Sequence, residues 1–299
     1  MGSAPAPGGK ISTVGIVAAT HRPEAVEWAR VFAERLSEMG AELRLIEQLG
    51  ENNEFRHCCG DQAYVAASDL IIVLGGDGTL LSVARCAGPI GTPILGLDVG
   101  SFGFLAKGEP GAAIGELDRL LAGEFAIEPR MMLKLSVQDA DGGIAAEDCA
   151  LNDVVVSGAD GRHVVCLRAE VDGEQFGTYR ADGLIVATPT GSTGYNLSAG
   201  GPIVDPRMSC MVLTAVCPHT LCYRPMVLPD HVEVRIGVPE GGKHPGVVTA
   251  TVDGQKSYVL ERNSSAVIEM APHVARLVRL HDRPYFPYIV SKLMPGLAE

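Results

Sequence analysis

Basic residues are scarce in this sequence. There are 24 Lys and Arg against 36 Asp and Glu, a formal net charge of −12, and the pI is near 5.1. A surface of that sign repels phosphate backbones and anionic lipid, so neither nucleic acid nor a membrane is expected as a main partner. A small anionic ligand is not excluded, because local dipoles, cations and metal set its site. Long apolar runs are also missing, and none reaches the length of a membrane span. The opening residues, MGSAPAPGGK, lack the apolar core of a secretory signal. The chain starts Met-Gly, but Ala6 stands where a myristoylation signal needs Ser or Thr. Residues 1–9 are expected to form a loose tail. The eight cysteines form no C-x-x-C pair and show no matched spacing. A disulfide framework or zinc site is therefore not expected, the His57-Cys58-Cys59 cluster included, and a reducing cytoplasmic location fits. Two phosphate fingerprints are absent as well. There is no G-x-x-x-x-G-K-[ST], and the nearest approach to G-x-G-x-x-G, GLDVGSFG (96–103), has the wrong spacing.

The 299 residues suffice for one large or two ordinary domains, and 46% are hydrophobic. Residues 11–125 alternate between strand and helix patterns. ISTVGIVAA, AELRLIEQ, DLIIVL and TPILGLD are short apolar runs. PEAVEWARVFAERLSEMG, TLLSVARCAG and AAIGELDRLLAGEF carry helical spacing. That alternation indicates a parallel sheet covered by helices. From about residue 128 the period becomes two, and Asp-Gly recurs at 141–142, 172–173, 182–183 and 253–254. Asp-Gly between alternating runs signals a hairpin, although not every one need be. The expected architecture is an α/β N-terminal domain with a parallel sheet (10–127) and an all-β, β-sandwich-like C-terminal domain (128–283). The segment 284–299 loses the alternation and is expected to return to the first domain.

Three stretches carry candidate chemistry. VLGGDGTLLSVAR (73–85) reads as strand, tight turn and helix. Gly75, Gly76 and Gly78 let a ligand approach the backbone, and Thr79 is a candidate N-cap, so free N–H groups and the positive helix end favour phosphate. Asp77 in the middle would repel phosphate unless it holds a bridging cation or faces an acceptor hydroxyl and takes its proton. The plainer reading is that Asp77 satisfies nearby N–H groups of the turn. YRADGLIVATPTGSTGYNLSAGGPIV (179–204) follows a strand with Thr188, Thr190, Ser192, Thr193, Asn196 and Ser198 among glycines. These short donors and acceptors suit a ribose or phosphate pocket, with Tyr195 as a flat surface for a base. Arg180 and Asp182 enter the run from its other end. In ALNDVVVS (150–157), Asn152 and Asp153 interrupt an apolar strand, and TVDGQ (251–255) places Gln255 after a turn.

Taken together these stretches resemble the NAD kinase family. GGDGT (75–79) is shared with diacylglycerol and sphingosine kinases, and GGDG with phosphofructokinases, so it marks only a superfamily. The run DGLIVATPTGSTGYNLSAGGPIV is specific to NAD kinases, and GLDVGSFGFL, ALNDVVV, CPHTLCYRPMVLP and VDGQ follow in the family's order. The resemblance implies a site between the two domains and phosphoryl transfer from ATP, or in some members inorganic polyphosphate, to the adenosine 2′-hydroxyl of NAD, giving NADP. It implies Asp77 as proton acceptor with Gly78 beside it on the dinucleotide. Asn152, Asp153, Arg180, Asp182, Thr190, Gln255 and the stretch Thr193, Gly194, Tyr195, Asn196, Leu197 and Ser198 match substrate contacts, and His163 matches more weakly. It further implies Mg²⁺ bound with ATP and a cytoplasmic homodimer or homotetramer.

Three positions depart from the family pattern. Asp153 follows Asn152 where Glu is commoner, Gly194 replaces a usual Ala, and Asp98 replaces a frequent Asn. None removes a group the chemistry needs, so altered affinity is expected rather than loss of activity. Two alternatives remain open from the residues alone. A lipid or sphingoid kinase with the same GGDGT would want an apolar pocket, against the polar 188–198 run. A non-catalytic dinucleotide sensor would keep that run but not need Asp77.

Overall fold

The computed structural model describes residues 9–49, 59–100, 103–106, 108–159, 164–220, 223–239, 247–280 and 285–293. The expected tail at 1–8, together with His57, Cys58, His163 and Cys222, lies outside the described residues.

In the first half, strand and helix alternate as the apolar pattern requires. β1 (Thr13–Ala18), α1 (Pro23–Glu38), β2 (Glu42–Ile46), β3 (Cys59–Gly60), α2 (Gln62–Ala66), β4 (Leu70–Gly75), α3 (Asp77–Ala87) and β5 (Pro93–Asp98) follow in order. The strands pair in parallel in the order β3-β2-β1-β4-β5. β4 is buried at every position. Leu70, Ile72 and Leu74 pack on one side with Phe32 and Leu36 of α1. Ile71 and Val73 pack on the other with Val65 of α2 and Leu80 and Ala84 of α3. A strand covered on both faces reads as a continuous apolar run, which is why DLIIVL shows no alternation. The short helix α2 has no period of its own to read. It starts where the Asp61 carboxylate accepts from the Tyr64 N–H at 2.8 Å. The stretch expected as one helix, AAIGELDRLLAGEF, forms two, α4 (Pro110–Ile114) and α5 (Leu117–Leu121), separated at Gly115, where a helix costs most to continue.

Two long strands tie the halves together. β6 (Ala126–Gln138) runs antiparallel to β17 (Ser265–Arg279) along nearly its whole length. The far end of β17 pairs in parallel with β5, Arg276 opposite Pro93 and Leu277 opposite Ile94. Its near end pairs with β14 (Val234–Gly237). β9 (Val165–Val171) and β10 (Glu174–Ala181) extend the sheet beyond β14, and β7 (Ile144–Ala150) lies on β6. One 11-stranded sheet therefore continues from the α/β half into the β half, and β6 passes position 128 unbroken. A second sheet is antiparallel throughout, in the order β13 (Met226–Pro229), β12 (Cys210–Val216), β11 (Gly183–Ala187), β8 (Asp153–Gly158), β15 (Val248–Val252), β16 (Lys256–Leu260). The two sheets share one core, with Leu135, Leu167, Ile236 and Ile268 facing Val154, Val156, Leu184, Val186 and Ala250. This is the β-sandwich the second half called for.

Three of the four Asp-Gly pairs are hairpin turns. Asp172-Gly173 and Asp253-Gly254 both have positive φ at each residue, as a two-residue turn requires, and Asp141-Gly142 lies in the loop between β6 and β7. Asp182-Gly183 instead carries the chain from one sheet to the other, since β10 and β11 belong to different sheets. Near the C-terminus, α7 (Tyr285–Leu293) touches both halves: the Tyr288 hydroxyl donates to the Gly103 carbonyl and the Tyr285 hydroxyl to that of Val204. No helix among the described residues is long and apolar enough to cross a membrane.

Ile268 is fully buried at the centre of the sandwich core. Ile268→Ala is expected to lower the unfolding free energy by about 2–5 kcal/mol in urea titrations. A loss below about 1 kcal/mol would contradict its placement there.

Candidate active site

The glycine turn begins the site. α3 starts at Asp77, with Gly76 as its extended N-cap (φ −97, ψ −173). Thr79, expected at the cap, lies inside the first turn. The helix begins three residues earlier than a Thr79 cap would allow, with Gly76, itself a favoured N-cap residue, in the cap position. Asp77 is thus the first helical residue, at the positive end of the dipole. Its carboxylate accepts three backbone N–H groups from a neighbouring loop: Phe104 to Oδ2 at 2.8 Å, and Leu105 and Ala106 to Oδ1 at 3.0 and 3.2 Å. The plainer contact foreseen for Asp77, satisfying nearby N–H groups, is therefore made. Gly103 permits it, since a Cβ there would fall 2.5 Å from Asp77 Oδ1.

The second centre is Asp253, in the β15–β16 turn. Its carboxylate is fully buried and accepts from the backbone N–H groups of Leu151 (3.1 Å), Asn152 (2.8 Å) and Asp153 (3.2 Å). The Asp253 N–H in turn donates to the Asp153 carbonyl at 2.9 Å. This carboxylate shapes the corner that presents Asn152 and Asp153 at the start of β8. Two residues on, the Gln255 amide donates to the Gly78 carbonyl at 2.7 Å and accepts from Arg85 Nη2 at 2.8 Å. The turn expected to hold Gln255 next to a ligand therefore also binds it to α3.

The polar run at 188–198 folds as a tight 3₁₀ turn (Gly191–Thr193) and a single helical turn, α6 (Tyr195–Ser198). It sits directly on the Asn152 corner, for a Cβ on Gly191 would land on the Asn152 carbonyl. Several of its polar groups hold the loop. The Thr188 hydroxyl donates to the Leu151 carbonyl at 2.6 Å and accepts from the Gly191 N–H at 3.0 Å. Asn196, expected among the ligand-facing donors, is fully buried. Its Nδ2 donates to the Ser192 and Pro202 carbonyls and its Oδ1 accepts from the Thr214 hydroxyl. Both Nδ2 protons and one lone pair of Oδ1 are thus engaged within the protein. Thr190 is buried and accepts from Arg130 Nη1 at 3.2 Å. Tyr195 projects outward, 47% exposed, and Ser198 is exposed with it, while Thr193, Gly194 and Leu197 are half-buried. Arg180 is exposed on the last turn of β10, and Asp182 is half-buried. The Tyr195 hydroxyl is held above its ordinary pKa by burial and then by the charges of Cys217, Asp182 and Asp153.

Burial marks two neighbouring side chains here. Asn152 Oδ1 is buried without a hydrogen-bond partner among the described residues, and an unpaired buried acceptor is costly unless a ligand or water serves it. Asp153 is buried, and burial followed by the charge of Asp253 pushes its carboxyl up to about 7. Asp253 is raised by burial too, but three N–H groups and Arg85 oppose the shift. The proton therefore goes first to Asp153. Among the described residues no group of three or more His, Cys, Asp or Glu is arranged to hold a metal.

Sequence reasoning missed Asp253, Arg85 and Gly103 as parts of the site. Asp253 gave only a turn signal, which says nothing of a carboxylate turned inward. Arg85 stood in the quoted stretch, and its place one heptad after Gly78, on the same helix face, was the available clue.

Known structures with this architecture bear on its class. Yeast NADH kinase complexed with NADH superposes with a TM-score of 0.86 at 24% identity, covering 97% of this chain and 89% of that one. An NAD kinase from Archaeoglobus fulgidus in complex with ATP gives 0.72 at 24%, covering 94% and 98%. The chain has the fold of these phosphotransferases. The family models for the ATP-NAD kinase N-terminal and C-terminal domains match residues 14–125 and 151–280. The NAD kinase of Heliobacterium modesticaldum is 40% identical over 290 residues, 95% of this chain and 99% of that protein. That of Moorella thermoacetica is 44% identical over 232 residues, 78% of this chain and 73% of that one. The chain belongs to the NAD kinase family.

The Asp153 shift sets a pH-dependence of stability. Its pKa is raised on folding, so the stabilisation is complete below the unfolded value of 3.8 and is lost as pH rises towards about 7. Asp153→Asn carries no such loss. Without ligand, the variant's melting temperature should gain on the wild type between pH 5 and pH 8, by several degrees. A gap that stays constant with pH would contradict the assignment.

Proposed function

We infer that this chain transfers a phosphoryl group from ATP to the adenosine 2′-hydroxyl of NAD, giving NADP. Near-full-length likeness to proteins named NAD kinase supports the activity, and neither a lipid kinase nor a non-catalytic sensor is favoured beside it. One structural observation carries the assignment of the site: Asn152 Oδ1 is buried with no hydrogen-bond partner among the described residues, and its side chain and that of Asp153 lie against Gly194, on the corner next to the turn that Gln255 ties to GGDGT. An adenosine is rich in the donors that such an acceptor lacks.

The chain's own groups divide the work as follows. Asn152 accepts from the dinucleotide's amino or hydroxyl groups, and Asp153 binds ribose hydroxyls once it has given up its proton. Tyr195 supplies a flat face to a base, with Thr193, Gly194, Leu197 and Ser198 around it, and Arg180 and Asp182 border the nicotinamide half. The Gly75-Gly76-Asp77-Gly78-Thr79 turn, at the positive end of α3, receives donor phosphates. Asp77 orients the acceptor hydroxyl and takes its proton. A carboxylate offers roughly four acceptor positions, of which three hold the 104–106 loop. Among the described residues nothing else donates to this carboxylate, which leaves one position on Oδ2 for the hydroxyl. In a loose transition state the nucleophile need not be deprotonated early, so a carboxylate suffices as a late acceptor. Bound with ATP, Mg²⁺ would offset the negative charge that Asp77 adds beside the phosphates. The enzyme works in the cytoplasm as a homodimer or homotetramer.

Asp77→Asn tests the proton acceptor. Turnover of NAD and ATP should fall by about 10²–10⁴-fold, while NAD binding measured by calorimetry stays near the wild-type value. Asn would also turn an N–H donor towards the donors of residues 104–106. Asp77→Glu, which keeps the charge but moves it by one methylene, should therefore be compared for turnover. Wild-type turnover in Asp77→Asn would contradict the role.

A further inference from the structure

Arg85 is absent from the roles given above, yet its side chain joins α3 to the β15–β16 turn. Its guanidinium is 9% exposed. Nη2 donates to Gln255 Oε1 at 2.8 Å. Nη1 is buried with no hydrogen-bond partner and faces the buried Asp253 carboxylate, 3.7 Å from Oδ2. Arg85 follows Gly78 by seven positions, two turns along the same helix face. The Gly78 carbonyl points towards the helix C-terminus and the Arg85 side chain leans back towards the N-terminus, so both converge on the Gln255 amide. Through Gln255 the guanidinium holds Gly78, the neighbour of Asp77. Through Asp253 it faces the carboxylate that shapes residues 151–153.

We propose that Arg85 is a positioning residue of the phosphoryl transfer: it clamps the Asp253–Gln255 turn to α3 and so keeps Asp77 in register with Asn152 and Asp153. This rests on the NAD kinase reading. The clamp joins elements from the two halves of the chain, adding a side-chain tie near the site to the one that the shared sheet makes. A planar fork is suited to it, because one group must address an amide oxygen and a carboxylate in different directions. A lysine offers a single ammonium and cannot hold both. A placement error of about 1 Å between reacting groups costs on the order of 100-fold in rate, which is the size of effect expected here.

The test uses the full chain with NAD, ATP and Mg²⁺, and reads kcat, the KM for NAD and the melting temperature of each variant. Arg85→Met should lose on the order of 100-fold in kcat, with the KM for NAD within about threefold of wild type and melting still above the assay temperature. Arg85→Lys should recover part of that loss. Gln255→Met should lower kcat similarly, and the double variant should be no slower than the slower single one, because the two residues act through one contact. A kcat for Arg85→Met within about twofold of wild type, or losses that multiply in the double variant, would overturn the proposal. If Arg85→Met does not fold, Arg85→Lys and Gln255→Met decide: wild-type kcat in both would overturn it. An inactive wild type would instead defeat the NAD kinase reading itself.

Discussion

Asp253 carries a carboxylate into a place that solvent does not reach, and the site is arranged around the need to satisfy it. Three consecutive backbone N–H groups, those of 151–153, converge on its oxygens. A cation from another part of the chain stands 3.7 Å away. Burying a charge unpaired would cost several kcal/mol. The cost is met only if the corner before β8 takes the shape that points its amides inward. That shape sets Asn152 and Asp153 side by side at the start of β8. The same carboxylate burdens its neighbour, since its charge helps keep the Asp153 proton on.

A second carboxylate repeats the device. Asp77 gathers the N–H groups of Phe104, Leu105 and Ala106 as Asp253 gathers those of 151–153. In each case a short acidic side chain organises a loop that has no ladder to join, and a glycine or a turn lets the partners come close. The organised loops lie on either side of α3. The helix that begins at Asp77 thus has one carboxylate-held loop at its start and another fastened to its face by Arg85 and Gln255. Function at Asp77 and structure at Asp77 are not alternatives, because an acceptor for a hydroxyl proton must be held still, and three hydrogen bonds hold it.

Much of the fold was legible because burial writes itself into spacing. DLIIVL named a strand covered on both faces, and Pro23 and Gly40 bounded the first helix. The β half announced itself by alternation and by Asp-Gly turns. Less legible was anything decided by contact between distant segments. Nothing local told Asp182-Gly183, which crosses between sheets, from the pairs that close hairpins. The start of α3 at Asp77 rather than near Thr79 depended on Gly76, and glycine marks a turn as readily as a cap. The site was partly legible for the same reason. GGDGT, Asn152-Asp153 and the 188–198 run could be named, but composition could not say which of their polar groups face a ligand. Asn196 and Thr188 are turned inward to hold the loop, whereas Asn152 keeps an acceptor free. Arg85 and Asp253 needed the fold before their pairing could be seen.

The central claim is a particular bond, between phosphorus and the 2′-oxygen of the adenosine in NAD. Phosphorus NMR of a reaction containing the purified chain, NAD, ATP and Mg²⁺ tests it most directly. The account predicts a new monoester resonance, coupled to the adenosine 2′ position, growing in step with ADP. ADP formed without that ester, or a phosphate placed on any other hydroxyl, would contradict it.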